Sequence, residues 1–182
     1  MTAPAPADWP PPAPIRTARL ALRTSEARDR AAFVELFSSP EVGAHTGGTR
    51  PREELERMMP EVPGRHPGCF VVELDGAMIG LVTLGPPTGD HPAPGTTELG
   101  YLFLPHAWGR GYAAEACAAA LDWCAVARPA ETVQLTTQVA NTRALRLARK
   151  LGFTEAERFE AYGAEQWLGV RRGPGGAPME KP

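Results

Sequence analysis

A Gly-x-Gly turn between a strand pattern and a helix pattern constrains the fold of this chain more than any other feature. Residues 96–104 are rich in aromatic and aliphatic side chains, and Pro105 ends that run. Residues 111–127 then repeat small and apolar side chains at helical spacing, with alanines that allow close packing against a sheet. Gly109 and Gly111 join the two segments. The pattern predicts a strand, a tight turn and a long helix in direct succession.

The start of this predicted helix is a candidate anion-binding site. The first N–H groups of a helix have no partner within the helix, and the helix dipole adds about half a positive charge there. Such a terminus binds phosphate without a lysine, and Gly109 and Gly111 leave no side chain in the way. A Gly-x-Gly sequence before a helix also occurs as a purely structural turn, so this motif alone leaves both interpretations open.

The remaining patterns predict an α+β domain. Alternation in Arg19–Arg23 indicates a strand with one buried face, and Asp75-Gly76 between two apolar runs indicates a hairpin with a type I′ turn. Pro40 is expected to stop a helix that begins near Arg28. About four helices are expected to flank a mixed, mostly antiparallel sheet of about seven strands. The predicted helices cover 28–37, a short segment after Pro51, 111–127 and 141–150; the predicted strands cover 19–23, 69–74, 77–84, 96–104, 132–139, 153–160 and 163–171.

Length and composition indicate one soluble domain with two tails. A chain of 182 residues with 43% hydrophobic and 22% charged residues can bury a sizeable core, and none of its apolar runs approaches the length of a bilayer span. We expect a Pro-rich disordered tail over 1–16, one domain over 17–172 and a second disordered tail over 173–182. The net charge of -2 argues against nucleic acid as a ligand. The three cysteines lack metal-ligand spacing, so we expect reduced core thiols, no metal site and a cytoplasmic location.

A second motif follows further along the chain. Asn141 stands at the predicted start of a helix, and a Gly-Phe pair leads from that helix into a strand. Together the two motifs resemble the GNAT superfamily of N-acetyltransferases, and the similarity spans about Thr17–Arg172. Within the superfamily the chain resembles the RimJ/RimL-like branch of ribosomal-protein N-terminal acetyltransferases. Residues 17–23 match the opening strand of that branch, and residues 98–101 match its fourth strand.

The resemblance implies where acetyl-CoA lies. Its pantetheine arm is expected in a splay between the fourth and fifth predicted strands, and its pyrophosphate against the N–H groups of the turn and the helix start. The residues whose backbone groups are implied for the arm are Leu102, Phe103 and Leu104, and those implied for the pyrophosphate are Gly109, Arg110, Gly111, Tyr112, Ala113 and Ala114. Asn141 is implied near the thiol end of the arm, although an Asn at a helix start also serves as an N-cap.

Catalytic side chains are harder to assign. Many relatives in the superfamily carry a Tyr that protonates the departing thiolate, and the corresponding residue here is Ala148, so the general acid stays unassigned. Glu98, beside the expected cleft, is the first candidate for a general base that acts through a water, and an ordinary exposed carboxylate is the alternative. His45, in a loop expected to approach the acceptor, is the second candidate. The helix after Asn141 carries three arginines that either reach the 3′-phosphate of the cofactor or form a solvated face: Arg143, Arg146 and Arg149.

The expected reaction is transfer of the acetyl group from acetyl-CoA to a primary amine. Deprotonating a lysine at pH 7 costs about 4.6 kcal/mol, whereas an α-amino group costs about 1 kcal/mol. A site whose base is not assigned therefore favours a protein or peptide N-terminal α-amine as the acceptor. A small polyamine or an aminoglycoside-like amine is the alternative acceptor, and a non-catalytic acyl-CoA-binding sensor is the alternative function. The expected partner is the amine acceptor, without nucleic acid or membrane, and the expected oligomeric state is a monomer or a homodimer.

Overall fold

The computed structural model describes residues 14–88 and 97–175. Within these residues it contains one sheet of eight strands and five α-helices. The strands are β1 (Ile15–Arg16), β2 (Ala21–Arg23), β3 (Cys69–Leu74), β4 (Ala77–Gly85), β5 (Thr97–Phe103), β6 (Thr132–Gln138), β7 (Thr154–Ala161) and β8 (Ala164–Arg172). The helices are α1 (Arg30–Ser38), α2 (Pro40–Gly43), α3 (Arg52–Met58), α4 (Tyr112–Ala127) and α5 (Thr142–Lys150). The predicted α+β class is confirmed, with β1 and α2 as additional elements.

The sheet runs in the order β1-β2-β3-β4-β5-β6-β8-β7, and β5 and β6 form its parallel pair. The other neighbouring pairs are antiparallel. Strand β1 lies within the predicted N-terminal tail. It forms because Ile15 pairs with Leu22 across a turn that the Thr17 N–H closes onto the Leu20 carbonyl at 2.9 Å. Two residues are too few for an alternating pattern to show in the sequence.

Pro40 has two effects on the helices that precede and follow it. Helix α1 ends at Ser38, as the position of this proline predicts. The same proline then occupies the first turn of α2, where its missing N–H removes no helical hydrogen bond. The Ser39 hydroxyl caps α2 by accepting the Val42 N–H at 3.4 Å. The stop was predicted from the sequence, but the short helix that follows it was not.

Helices cover both faces of the sheet. Helices α4 and α5 pack on one face, and the fully buried Ala116 and Ala120 let α4 lie close to the strands. Helices α1 and α2 pack on the other face around Leu36. Side chains of one strand alternate between the two cores, as Val71 and Val72 of β3 do. Because both faces of the sheet are buried, the direction of each strand side chain decides whether it packs on the side of α4 and α5 or on the side of α1 and α2.

Two turns have positive φ angles at their glycines. Asp75 and Gly76, which connect β3 to β4, have φ angles of 50° and 83°. Both values are positive, as a type I′ turn requires. Gly152 follows α5 with a φ of 86°, the left-handed conformation expected after a helix. The predicted type I′ turn is confirmed.

Most of the two predicted tails lies outside the described residues, as does part of the Pro/Gly-rich loop before β5. The described start of the second tail contacts the domain, because the N–H groups of Gly173 and Gly175 donate to the carbonyls of Glu131 and Pro129. The three cysteines are free and buried, and burial raises the pKa of Cys69 to about 11. None of the described helices combines the length and the apolar character needed to cross a membrane.

A buried ion-pair cluster joins β2 to β3. Arg23, which is 8% exposed, donates to both carboxylate oxygens of Asp29 at 2.7 and 2.8 Å and through Nε to Glu73 at 2.5 Å. Burial alone would raise the pKa of Asp29, but the hydrogen bonds from Arg23 and from the Glu26 N–H outweigh it and hold that pKa below its usual value. The cluster fixes the turn that leads from β2 into α1.

Candidate active site

A gap opens in the sheet between β5 and β6. Each of these strands has seven residues, yet within the described chain they pair at two positions, Thr97 with Val133 and Glu98 with Gln134. Beyond Glu98, β5 stays paired with β4 and β6 stays paired with β8. The two strands therefore diverge and leave facing edges of backbone between them. This β5–β6 gap is the predicted splay between the fourth and fifth predicted strands, which is confirmed.

The register of β4 and β5 determines which backbone groups face the β5–β6 gap. The Leu104 N–H donates to the Ile79 carbonyl at 2.9 Å, so that amide is already used within the sheet. Backbone groups alternate in direction along a strand, and Leu102 lies opposite Leu81, so Leu102 also turns its backbone toward β4. The odd-numbered residues face the gap instead: Leu99, Tyr101 and Phe103.

Of these three residues, only Phe103 was also expected from the sequence to bind the pantetheine arm. Its carbonyl accepts the indole N–H of Trp108 at 2.8 Å, which leaves its N–H directed at the gap. The backbone groups of Leu102 and Leu104 were expected at the gap, but the observed register turns them toward β4. A sequence alone determines neither which strands pair nor whether the odd- or the even-numbered residues of a strand face its free edge. Tyr101 takes their place as a candidate, with both its N–H and its carbonyl on the open edge.

The residues Gly109–Ala114, called here the 109–114 turn, lead from the segment after β5 into the first turn of α4. Gly109 and Gly111 have φ angles of 73° and 80°, whereas Arg110 between them is outside the positive-φ region. Alternating signs of φ direct successive N–H groups toward one point, an arrangement that binds anions. Gly109, Arg110 and Gly111 are exposed, and within the described chain no side chain caps α4. The amides expected to hold the pyrophosphate are therefore accessible.

Asn141 caps α5 at the far end of β6. Its Oδ1 accepts the Ala144 N–H at 3.1 Å, and its own N–H donates to the Gln138 carbonyl at 2.9 Å. The cap uses the side-chain oxygen, so the side-chain NH2 group, which carries two donors, is not consumed by it. Asn141 is half-buried. The structural role weighed in the sequence analysis is thus present, and it is compatible with a further contact to a ligand.

Trp108 connects the 109–114 turn to α5. The Arg143 guanidinium lies over the Trp108 ring, 4.8 Å from its centroid, within the range of a cation–π interaction. Arg146 and Arg149 lie on the exposed face of the same helix. All three arginines are therefore exposed, and Arg143 differs from the other two by its contact with Trp108.

The two candidate bases lie at opposite ends of the β5–β6 gap. Glu98 is half-buried at the closed end, where its Oε2 accepts the N–H of Thr88 at 2.8 Å and the hydroxyl of Thr88 at 3.0 Å. His45 is exposed at the open end, where its Nδ1 lies 3.3 Å from Oε1 of Gln138, the last residue of β6.

Position 148 supplies no proton donor. Ala148 is fully buried in the core between α5 and the sheet, and its carbonyl accepts the Phe153 N–H at 3.0 Å. Tyr101 is also part of that core, because it is half-buried and packs on the same side of the sheet as α4. Burial raises the pKa of Tyr101 well above its usual value, so its phenol stays protonated.

Three residues beside the 109–114 turn have no function predicted from the sequence: Thr17, Arg19 and Glu115. Glu115, in the first turn of α4, accepts the Thr17 hydroxyl at 2.6 Å and the Arg19 Nε at 2.7 Å. The hydrogen bond from Thr17 is the largest cause of a lowered Glu115 pKa, and the bonds from Arg19 add to it. The available signal was the opening motif at 17–23, which was interpreted as a strand without a contact for Thr17 or Arg19. Among residues 14–88 and 97–175, no group of three or more His, Cys, Asp or Glu side chains is arranged to hold a metal ion.

Comparisons with known proteins agree with this architecture. A family model described as an acetyltransferase (GNAT) domain matches residues 19–154. The solved structure of a GNAT-family acetyltransferase from Bacillus anthracis is 22% identical, has a TM-score of 0.72, and the match covers 88% of this chain and 98% of that one. RimL, a ribosomal L7/L12 alpha-N-protein acetyltransferase in complex with coenzyme A, is 14% identical with a TM-score of 0.68, over 90% of this chain and 99% of that one. The aminoglycoside acetyltransferase AAC(6')-Ib, in complex with coenzyme A, is 17% identical with a TM-score of 0.66, over 84% and 94%.

Proposed function

Because this chain belongs to the GNAT acetyltransferase family and is therefore an acetyl-CoA-dependent N-acetyltransferase, we propose that the β5–β6 gap and the 109–114 turn form its acetyl-CoA site. The observation that carries this proposal is the continuity of two donor surfaces. The open edge of β5 ends at Phe103, and the exposed amides of the turn begin six residues later, at Gly109. An extended arm that ends in two linked phosphates fits such a sequence of sites.

In this proposal each surface binds one part of acetyl-CoA. The N–H and carbonyl of Tyr101 and the N–H of Phe103 pair with the amides of the pantetheine arm, as an added strand would. The N–H groups of Gly109, Arg110, Gly111, Tyr112, Ala113 and Ala114 hold the pyrophosphate, with the α4 dipole adding to the attraction. The NH2 group of Asn141 donates to the arm from the β6 side of the gap.

The proposed chemistry is direct attack of a neutral amine on the thioester carbonyl. Backbone donors at the gap polarise that carbonyl, and the fixed position of the thioester supplies much of the rate through proximity. Glu98 is our first candidate to accept the amine proton through a water, and His45 is the second. Because Ala148 replaces the usual Tyr, the departing thiolate takes its proton from solvent in this proposal.

The acceptor that we propose is the N-terminal α-amine of a protein or peptide. An α-amine loses its proton at a cost of about 1 kcal/mol at pH 7, so it demands less of a base than a lysine side chain does. The similarity in fold to an alpha-N-protein acetyltransferase supports the same choice. An aminoglycoside-like amine is the second candidate, because the aminoglycoside acetyltransferase matches with a similar TM-score.

An acceptor screen with acetyl-CoA as the donor tests this function. The panel contains peptides with a free α-amine and no lysine, the same peptides with a blocked α-amine and one lysine, polyamines, and aminoglycosides. We expect thiol release with the free α-amine peptides and little with their blocked counterparts. Release with the aminoglycosides alone would favour the second candidate. Tight CoA binding by calorimetry without thiol release from any amine would instead identify a sensor.

A further inference from the structure

Arg19 joins the β1–β2 loop to the 109–114 turn through several contacts. Its Nη1 donates to the Arg110 carbonyl at 2.9 Å, and its Nη2 lies 2.7 Å from the Glu115 carboxylate. The guanidinium also lies over the ring of Tyr112, 4.6 Å from its centroid. A Cβ atom on Gly111 would meet Arg19 Nη2 at 3.4 Å, so the guanidinium lies directly against that residue. These contacts lie around Arg110 and Gly111, between which the backbone φ becomes positive.

The bond to the Arg110 carbonyl fixes the direction of an amide in the turn. The peptide group between Arg110 and Gly111 is planar and trans, so its C=O and N–H point in opposite directions. Holding the carbonyl against Arg19 therefore holds the Gly111 N–H on the opposite side. Gly111 has a φ of 80° and lacks a side chain, so its flanking peptide groups are among the most easily rotated in the turn. A fixed carbonyl removes that freedom.

Glu115 holds Arg19 in place. Its Oε1 accepts the Thr17 hydroxyl at 2.6 Å and the Arg19 N–H at 2.9 Å, and its Oε2 accepts the Arg19 Nε at 2.7 Å. The side chain of Arg19 is 45% exposed, and that of Glu115 is 19% exposed. Exposed ion pairs generally contribute little to stability. The contacts from Glu115 therefore fix the position of Arg19 and add little to the stability of the fold.

We propose that Arg19 is a positioning residue that orients the Gly111 N–H toward the pyrophosphate of the cofactor, with Glu115 and Thr17 as its support. The inference rests on the proposed function, because it concerns the same cofactor site. Arg19 does not contact the cofactor in this account. It lowers the cost of binding by arranging the amides of the turn before the phosphates arrive.

The experiment compares a donor with phosphates and a donor without them. Calorimetry measures the Kd for CoA, and steady-state kinetics measures KM for acetyl-CoA and for S-acetylpantetheine, which lacks the pyrophosphate. The variants are Arg19→Gln, Glu115→Gln and the double variant. Arg158→Gln is the control, because Arg158 is exposed to a similar degree as Arg19, 43% against 45%, and pairs with Glu155 at 2.9 Å on the distant β7.

We expect Arg19→Gln to weaken CoA binding about tenfold, as loss of one charge-assisted hydrogen bond does. The KM for acetyl-CoA should rise by a similar factor, while the KM for S-acetylpantetheine and both kcat values stay within about twofold. The double variant should be no weaker than the single variant by more than about threefold, because both residues act on one peptide group. Arg158→Gln should match the wild type throughout.

Two results would overturn the inference. Unchanged CoA affinity in Arg19→Gln would show that the carbonyl contact does not matter for binding. Equal losses with both donors would show that the cluster merely tethers the β1–β2 loop to α4. Failure of the proposed function looks different, because then the wild-type protein itself would bind no CoA in the calorimeter.

Discussion

Gly111 carries the strictest backbone requirement of the candidate site. Its φ of 80° is unfavourable for any residue with a side chain, and a Cβ atom there would contact Arg19 Nη2 at 3.4 Å. We expect Gly111→Val to weaken CoA binding at least about tenfold, because both the conformation and the accessibility of the amides change. Calorimetric titration with CoA measures the effect.

Gly163 provides the control for this substitution. It has a φ of 74° in the β7–β8 turn, and no described atom lies within 4 Å of the place where its Cβ would be. Gly163→Val therefore introduces similar backbone strain, about 1–3 kcal/mol, away from the site. We expect it to lose stability and keep the CoA affinity of the wild type. Equal losses of affinity in the two variants would remove Gly111 from the site.

We expect substitutions at Glu98 and at His45 to have different effects on catalysis. We expect Glu98→Gln to lower kcat by about a hundredfold or more, with the KM for acetyl-CoA unchanged, because loss of a general base affects the chemical step. His45→Asn should leave kcat within about threefold of the wild type. The measurement is kcat against pH for both variants with the acceptor that the screen identifies. A large loss in His45→Asn together with normal activity in Glu98→Gln would reverse the assignment.

At the scale of helices and strands, some features of the site could be predicted from the sequence and others could not. The Gly-x-Gly turn, the start of α4 and the cap at Asn141 depend on residues close together in the chain, and the local signals identified them. The free edge of β5 depends on its pairing with β4, which long-range contacts decide. For that reason Leu102 and Leu104 were expected at the arm, whereas the register exposes the backbone of Tyr101 instead. The Arg19 contact was missed for the same reason, because it joins residues more than ninety positions apart.

Helix α5 makes a second element-scale prediction through Ala148. This residue is fully buried against the sheet, so a tyrosine introduced there has to displace core side chains. We expect Ala148→Tyr to lower the free energy of unfolding by about 1–3 kcal/mol and to give no gain in kcat. Urea denaturation and steady-state kinetics measure the two quantities. A variant of normal stability with a raised kcat would show that position 148 reaches the cleft.

At the scale of the whole molecule, two carboxylates of the Arg23 cluster make the stability of the fold depend on pH in the acidic range. The pKa of Asp29 and that of Glu73 are both lowered in the folded protein, in Glu73 chiefly by the hydrogen bond from Arg23. A lowered folded pKa contributes stability that is fully present above the unfolded pKa of about 4 and is lost as the pH falls toward the folded value. The cluster therefore stabilises the folded protein at neutral pH and loses this effect in acid.

Asp29→Asn tests this assignment. Removing the carboxylate leaves the buried Arg23 without its bidentate partner, so we expect a loss of about 3 kcal/mol in the free energy of unfolding at pH 7. The difference from the wild type should shrink as the pH falls below about 4 toward the lowered pKa of the folded Asp29, because the unfolded chain is protonated first. Arg52→Gln is the control, because it breaks an exposed pair, 59% and 50%, and should change stability by less than about 0.5 kcal/mol. A pH-independent difference would contradict the assignment.

Amide chemical shifts during a titration with CoA test the central claim most directly. Two-dimensional NMR of the isotope-labelled protein reports every backbone N–H separately. We predict that the largest changes occur at Gly109–Ala114 and at the gap-facing Tyr101 and Phe103, with smaller changes at Leu102 and Leu104. Adding 3′-phospho-ADP, which lacks the arm, should shift the 109–114 turn and leave Tyr101 unchanged. Changes that avoid both the turn and the open edge of β5 would contradict the account.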